Sequence, residues 1–535
     1  MLIFQKVRRK LRHFWKRRKS KKDRLLLYEL LVLIAVFVLF IQMKYRNRFD
    51  DRHRITEINL PDHGQKSNSA AKIPIFEGPK NARQEAVVKA FQHAWAGYKK
   101  YAWGQDELRP ISKSYSTWIG AGLTLVDALD TAIIMGLDQE VRDGAEWIEN
   151  SLTFDKDHST NLFETTIRFL GGLLSSYHLT GNQIFARKAE DLGRRLLKTF
   201  TGSKSPIPWS NVNLRSGTTS SVYDEAVMSL AAVGSLQLEF RELSRITGDK
   251  RFEKAAFLAS QQIHENGCNG GLCLQFIDVH TAQFRDKGLI SFGGRSDSFY
   301  EYLLKQWIQT GKRLDWLISD YEAAMSSMEE KLLRLSEPSK IPFVGELHPL
   351  GKFFFGSFFS TRMDHLTCFL PGTLALGVAH GMPSRHLTIA QGLAEGCHAM
   401  YQTKTGLAPE AIYFNMDPKK MDDFSCEPSD SHSPLRPEAI EAWFYMYRLT
   451  GNTTYQKWGW EVFQAMEKHA KLDVGYASVR NVKSLPVEHN DLMESFFLAE
   501  TLKYLYLLFD DARELFPLDQ WVFNTEAHPL PIHSS

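Results

Sequence analysis

From about residue 81 onward the hydrophobic pattern alternates between two kinds of segment. One kind is apolar on nearly every side, which is the signature of a buried helix. The other carries an apolar stripe at three- and four-residue spacing and reads as an amphipathic helix packed against the first. The clearest buried segment runs from Asn161 through Glu164, Arg168 and Gly172 to Gly181. Six others share its plan of an acidic or polar opening turn, an apolar run and, in most, a Gly-containing stop; they open at Thr124, Tyr223, Ser296, Met363, Arg436 and Leu492. Residues 182–200, 251–265 and 455–469 exemplify the amphipathic segments between them. Seven buried helices alternating with seven amphipathic ones predict an all-α toroid, an inner ring inside an outer ring. An open solenoid of helical pairs is the other architecture. The position of the acids favours closure, because a ring would gather them at one mouth. Extended pieces are few, and residues 353–359 and 522–527 read as short strands or β-hairpin elements.

The opening turn at Asn161 supports two readings. Asn161 followed by Glu164 fits a capping box, and Glu164 with Arg168 fits an ion pair four residues apart. Yet a carboxylate and a guanidinium at the mouth of a buried helix are costly unless they are paired or used.

The chain before residue 81 differs in kind. Residues 1–24 form a dense basic cluster, and residues 25–43 are strongly apolar with Glu29 as their one charge. That run is long enough to cross about 30 Å of hydrocarbon. Lys44 and Arg46 follow without a small-residue cleavage pattern, so the segment reads as an uncleaved single transmembrane helix, a signal anchor. The positive-inside rule leaves 1–24 as a cytosolic tail and sends everything after it to the lumenal side, a type II topology. Residues 44–80 are polar, mixed in charge and hold Pro61, Gly64 and Pro74, which suits a stem. The globular domain then spans 81–535.

Composition changes this picture only at a few points. The formal net charge of +3 over 535 residues arises from the N-terminal cluster, so nucleic acid is not an expected partner. No GxGxxG, P-loop or HExxH pattern occurs, which leaves nucleotide and zinc-protease readings without support. Five cysteines, an odd number, leave at least one unpaired, and Cys268 and Cys273 could close a small loop. Asn452-Thr-Thr454 is a glycosylation sequon on the lumenal side.

The helix openings collect Asp127, Asp130, Glu164, Asp297, Glu301, Asp364, Glu410, Glu438, Glu441, Glu494 and Glu500, with Arg168, Arg295, Arg436, His365 and the aromatics Phe299, Phe496 and Phe497. Sugars need carboxylates for hydroxyl hydrogen bonds, aromatic faces for stacking and two separated carboxyls for glycosidic cleavage. A carboxylate cluster can equally bind calcium through oxygen ligands.

The segments at 103–110, 161–172, 297–307, 364–372, 435–438 and 523–529 resemble the class I α-1,2-mannosidases, glycoside hydrolase family 47, and the resemblance covers essentially all of 81–535. It implies an (α/α)7 barrel, a monomer, an inverting mechanism, a Ca2+ cofactor and removal of terminal α-1,2-linked mannose from high-mannose N-glycans on glycoproteins. By the same resemblance Glu164 is the general acid, Glu438 the base, Asp297 the third essential carboxylate and Glu410 a further acid of the catalytic set. Thr525 binds the metal, and Arg168, Arg295, Arg436, Phe496, Glu500 and Glu526 bind substrate. Cys368 and Cys397 match the structural disulfide, leaving Cys426 free. Arg295, where Golgi-type relatives have Leu, and the run at 337–340 are more similar to the endoplasmic reticulum members; this implies an endoplasmic reticulum membrane address, with the Golgi left open, and a role in N-glycan quality control. The chain departs from the family at Ala232, where a Glu is usual, and lacks the usual Trp in the preceding loop. This favours an alternative, a mannose-glycan-binding lectin of the degradation pathway with weak hydrolysis.

Overall fold

The structure, a computed structural model, describes residues 73–222, 225–285, 288–349 and 357–533. The basic tail, the expected membrane anchor at 25–43 and most of the stem lie outside the described residues. Among those described, no helix is long and apolar enough to cross a membrane.

The alternation of buried and amphipathic segments becomes a closed double ring. Outer helices at Ala82–Tyr101, Asp138–Asn150, Gln183–Leu196, Arg251–Asn266, Asp315–Lys331, Arg385–Ala399 and Thr454–His469 alternate with inner helical segments. The inner ones run at Leu123–Ile134, Leu162–Thr180, Leu230–Thr247, Asp297–Gln309, Leu370–Ala379, Glu438–Thr450 and Phe497–Leu508. Burial separates the two rings: every residue of Leu123–Ile134 is buried, whereas Asp138–Asn150 buries only Gly144 and Ile148. Each inner segment packs on the next, and the seventh packs on the first, so the array closes rather than opening as a solenoid.

Local chemistry sets the ends. Asn81 caps the first outer helix by accepting from the Arg83 and Gln84 N–H groups, and Asn182 accepts from Ile184 N. The expected capping at Asn161 is present, with its Oδ1 3.0 Å from Glu164 N. The Thr-Gly stops at Gly181, Gly248 and Gly451 all take positive φ, as a left-handed C-cap requires.

Three inner segments depart from a plain helix. Leu162–Glu164 gives way to a π-helical stretch at Thr165–Leu170 before Gly171–Thr180 continues as α-helix, and a second π stretch at Phe497–Thr501 precedes Leu502–Leu508. Tyr223, where the pattern opens the third inner segment, lies outside the described residues, and the helix begins only at Leu230. Strand Val227–Ser229 intervenes, Ser229 caps a short helix Leu230–Gly234, and the chain breaks at Ser235 before Gln237–Thr247. Gly234 stands there because Phe299 approaches so closely that a Cβ would lie 2.5 Å from its ring.

Short antiparallel strand pairs, some hairpins and some between strands about 50 residues apart, accompany the two rings. The C-terminal one pairs Trp521–Phe523 with Pro529–Pro531 and is fully buried against inner helices, which makes it the plug of the ring. Strands Arg362–Asp364 and Ala411–Phe414 pair with Asp364 opposite Ala411. Disulfides join Cys268 to Cys273 and Cys368 to Cys397, and Cys426 is free.

Candidate active site

A cavity of about 410 Å3 opens at the N-terminal ends of the inner helices, within the size range of small-molecule sites. Its lining is layered by helical geometry. Glu164, Asp297 and Glu438 sit in opening turns; Arg168, Glu301 and Glu441 lie further in on the same segments, and Glu500 comes from the seventh. The plug hairpin adds Thr525 and Glu526 from its turn, while Arg295, Arg436, Phe496 and Ala232 complete the wall.

Arg168, Glu438 and Arg436 are each held by a partner. Arg168 reaches Glu164 Oε2 through Nε at 2.9 Å, and its Nη1 lies 2.7 Å from Glu526 and 3.0 Å from Ser495 Oγ. The Ser495 hydroxyl in turn donates to the buried Asp127. Glu438 lies 2.7 Å from His365 Nδ1, and His365 Nε2 lies 2.8 Å from the Tyr401 hydroxyl. Arg436 makes a bidentate pair with Glu410, at 2.7 and 2.6 Å. Arg168 and Arg436 both stand 5.7 Å from the centroid of the Phe496 ring.

Carboxylates outnumber cations here, and burial makes the imbalance costly. Desolvation, with Glu301, Glu438 and Asp364 nearby, pushes Asp297 up to about 8. Burial and like charges likewise raise Glu441 and Glu526 to about 8, and hold Glu500 well above the usual carboxylate range. Beneath them the buried Lys305 pairs with Glu301 and lies 3.6 Å from Glu441.

The expected residues fall into two groups. Glu164, Asp297, Glu438, Arg168, Arg295, Arg436, Phe496, Glu500, Thr525 and Glu526 all line the cavity. Glu410 stands behind Arg436, outside the lining, where that guanidinium lowers its pKa against the opposing effect of burial. Asp127, Asp130, Asp364 and Glu494 are also set back from the wall. Of the proposed stacking aromatics, Phe299 packs on Gly234 and Phe497 on Tyr476; only Phe496 reaches the cavity.

The floor holds residues that the pattern leaves unsuspected. Asn524 accepts from Glu526 N and His528 N, and its Nδ2 donates to the Ile167 carbonyl, inside the first π stretch, and to Glu239. Lys503 holds the same turn by donating to Ala527 O and pairs with Asp130 at 2.8 Å. Glu239, raised to about 7 by burial, accepts from Tyr302, but its Oε2 has no hydrogen-bond partner among the described residues. The run Phe523-Asn-Thr-Glu-Ala-His528 was the available signal, since so many hydrogen-bonding side chains inside an apolar hairpin need a purpose.

A hard cation fits this donor set. The acids are all oxygen donors, repel one another when ionised, and surround Thr525, whose hydroxyl and carbonyl are further oxygen donors. Among the described residues no three His, Cys, Asp or Glu side chains converge as a ligand cluster.

Comparison with known proteins agrees with this geometry. The chain is 50% identical over 468 residues to the endoplasmic reticulum mannosyl-oligosaccharide 1,2-alpha-mannosidase of Mus musculus, covering 86% of this chain and 70% of that protein. It is 51% identical over 457 residues to the Homo sapiens protein of the same name, covering 84% and 64%. The fold superposes on the alpha-1,2-mannosidase from Trichoderma reesei with a TM-score of 0.77 at 28% identity, over 85% of this chain and all of that one. The sequence profile of glycosyl hydrolase family 47 matches residues 90–532, and the chain belongs to that family.

Proposed function

We propose that this chain removes terminal α-1,2-linked mannose from high-mannose N-glycans by an inverting, calcium-dependent hydrolysis. The observation that carries this reading is the cavity itself, where Glu164, Asp297 and Glu438 open three separate inner helices around one space. The names and similarity of the relatives support it.

In this reading Glu164 supplies the proton to the leaving oxygen, through a water. Arg168, bound to it at 2.9 Å, fixes its rotamer and keeps its neighbourhood cationic. Glu438 takes the proton of the attacking water, and the His365–Tyr401 pair behind it fixes its direction. Asp297 stays close to both roles with a proton affinity near the working pH. Arg168 and Arg436, spaced by the Phe496 ring, give the sugar hydroxyls donors, and Glu500 and Glu526 give them acceptors. Calcium, bound through Thr525, would supply positioning of sugar hydroxyls and water by charge. The residues before 81 support a type II anchor, and Arg295, the run at 337–340 and the names of the relatives support an endoplasmic reticulum address, with action in glycoprotein quality control and the Golgi as the other compartment.

Ala232 favours a second reading, a lectin that binds the same glycans and cleaves them weakly, because it leaves an apolar gap in a wall of acids. Incubating the purified chain with a nine-mannose glycan, with calcium or with chelator, separates the two. Mannose release that requires calcium and disappears in Glu164→Gln is the expected result. Tight glycan binding without release would establish the lectin instead.

A further inference from the structure

Arg295 is a non-glycine residue with φ of +75° at the edge of the cavity, a conformation that L side chains rarely adopt. Such a residue persists only where its surroundings over-determine it, and here they do. The Gly294 N–H donates to Asp364 Oδ2 at 3.1 Å. The Gly294 carbonyl accepts from Gln275 Nε2 at 3.0 Å. The Arg295 carbonyl accepts from Ala231 N at 2.9 Å, next to Ala232 in the wall. Gly293 leaves no slack, since a Cβ there would lie 2.5 Å from Asp364 Oδ2.

The two side chains that grip Gly294 are themselves fixed. Asp364 gives its other oxygen to Arg362, which also lies near Glu346 and Asp430, and Glu346 accepts from the Ser291 hydroxyl at the start of the same loop. Gln275 is buried, and its backbone is bonded to Leu230 and Leu289. Neither Asp364 nor Gln275 lines the cavity.

We propose that Asp364 and Gln275 are positioning residues that hold Gly294 at its N–H and its C=O, and thereby set where the Arg295 guanidinium meets the glycan. The proposal rests on the reading of the cavity as a glycan site. It makes the contact with the glycan a property of a backbone clamp as well as of the Arg295 side chain, which lies over the Phe276 ring.

The test compares Asp364→Ala, Asp364→Asn, Gln275→Leu, Arg295→Leu and the double variant Asp364→Ala/Arg295→Leu on a nine-mannose glycan, reading kcat, KM, the product isomers and the equilibrium Kd. Losing one hydrogen bond to the clamp raises KM and Kd about tenfold, with a smaller change in kcat. Asp364→Ala and Gln275→Leu shift the product isomers in the same direction as Arg295→Leu. Asp364→Asn keeps an oxygen acceptor for the Gly294 N–H and restores most of the wild-type pattern. The double variant resembles Arg295→Leu alone, because both changes remove one effect. Additive losses in the double variant, or an isomer pattern that Gln275→Leu leaves unchanged, would overturn the clamp. Gln275→Leu and Asp364→Asn decide the matter even if Asp364→Ala does not fold. If the wild type binds glycan but releases no mannose, hydrolysis is wrong as a function while the coupling in Kd still judges the clamp. A wild type that does neither overturns both.

Discussion

The two ends of the inner ring bury charge in opposite ways. At the C-terminal ends of the inner helices every buried charge is matched. Arg241, about 1% exposed, pairs with Glu253 at 3.0 Å and donates to Gln309. Arg448 pairs with Asp510 at 3.2 Å, and Glu242 lies between His178 and His533 at 2.7 and 2.6 Å. At the N-terminal ends Glu164, Asp297, Glu301, Glu438, Glu441, Glu500 and Glu526 face a cavity with Arg168, Arg295, Arg436 and the buried Lys305. Matched charge fixes packing. Unmatched charge raises the pKa of several acids, and it persists because something outside the chain is meant to answer it.

The comparison breaks most sharply under neutralisation. Asp297→Asn and Glu438→Gln each lower mannose release by about 10²–10⁴-fold. Asp297→Asn also stabilises the metal-free chain by roughly 0.5–2 kcal/mol, since it removes a charge that burial already opposes. Arg241→Met does the reverse: it leaves the Glu253 carboxylate buried without its guanidinium at a cost of about 3–5 kcal/mol, with kcat of the folded fraction unchanged. Calorimetry beside single-turnover kinetics reads both. Loss of stability in Asp297→Asn comparable to that in Arg241→Met would erase the distinction between the two ends.

The pH dependence of stability is a smaller effect with a definite sign. Asp297, Glu441 and Glu526 titrate near 8 in the folded chain, well above ordinary carboxylates. Between about pH 4.5 and 8 the folded state therefore holds more protons than the unfolded one, and stability falls as pH rises through that window. Calcium opposes the fall, because it favours the ionised acids; at a hundred times its Kd it contributes about 2.7 kcal/mol. The expected record is a gap in Tm between calcium and chelator that widens from pH 5.5 to 8.5. A gap that stays constant with pH would mean that the raised acids do not sense the ion.

The same contrast explains what was legible in the sequence. Helix alternation, the Thr-Gly stops and the acid-headed inner helices are periodic features, and one inner segment carries them all within about twenty residues, as 161–181 does. Ring closure then places Glu164, Asp297 and Glu438 together without further information. What stays hidden depends on contacts between distant segments. The π stretches at Thr165–Leu170 and Phe497–Thr501 follow from no local preference, and the Asn524 bonds to Ile167 and Glu239 help hold the first of them. The third inner helix reads as continuous from Tyr223 because nothing local announces that Phe299 will press on Gly234. Glu410 reads as one more acid of the mouth, but its bidentate bond to Arg436 depends on strand Ala411–Phe414 pairing with Arg362–Asp364. That ladder directs three side chains: Asp364 to Gly294, His365 to Glu438 and Glu410 to Arg436.

The smallest expected effect tests whether the acid-rich end is complete. Ala232 is about 9% exposed and lines the cavity, at the position where the family resemblance led to an expected Glu. It lies on the short helix Leu230–Gly234 beside the Ala231 N–H that binds Arg295, so a carboxylate there would project into the cavity without displacing the clamp. Ala232→Glu should raise turnover of a nine-mannose glycan by about threefold to tenfold, the worth of one ordinary hydrogen bond of about 0.7–1.4 kcal/mol. The same change deepens the charge imbalance, so in chelator the variant should melt below wild type, and the Tm gained on adding calcium should be larger. Faster turnover with no change in the calcium response would mean that the added acid meets sugar rather than the ion. No gain in either would mean that this wall position plays no part in the chemistry, and that the cavity is already complete with Ala232.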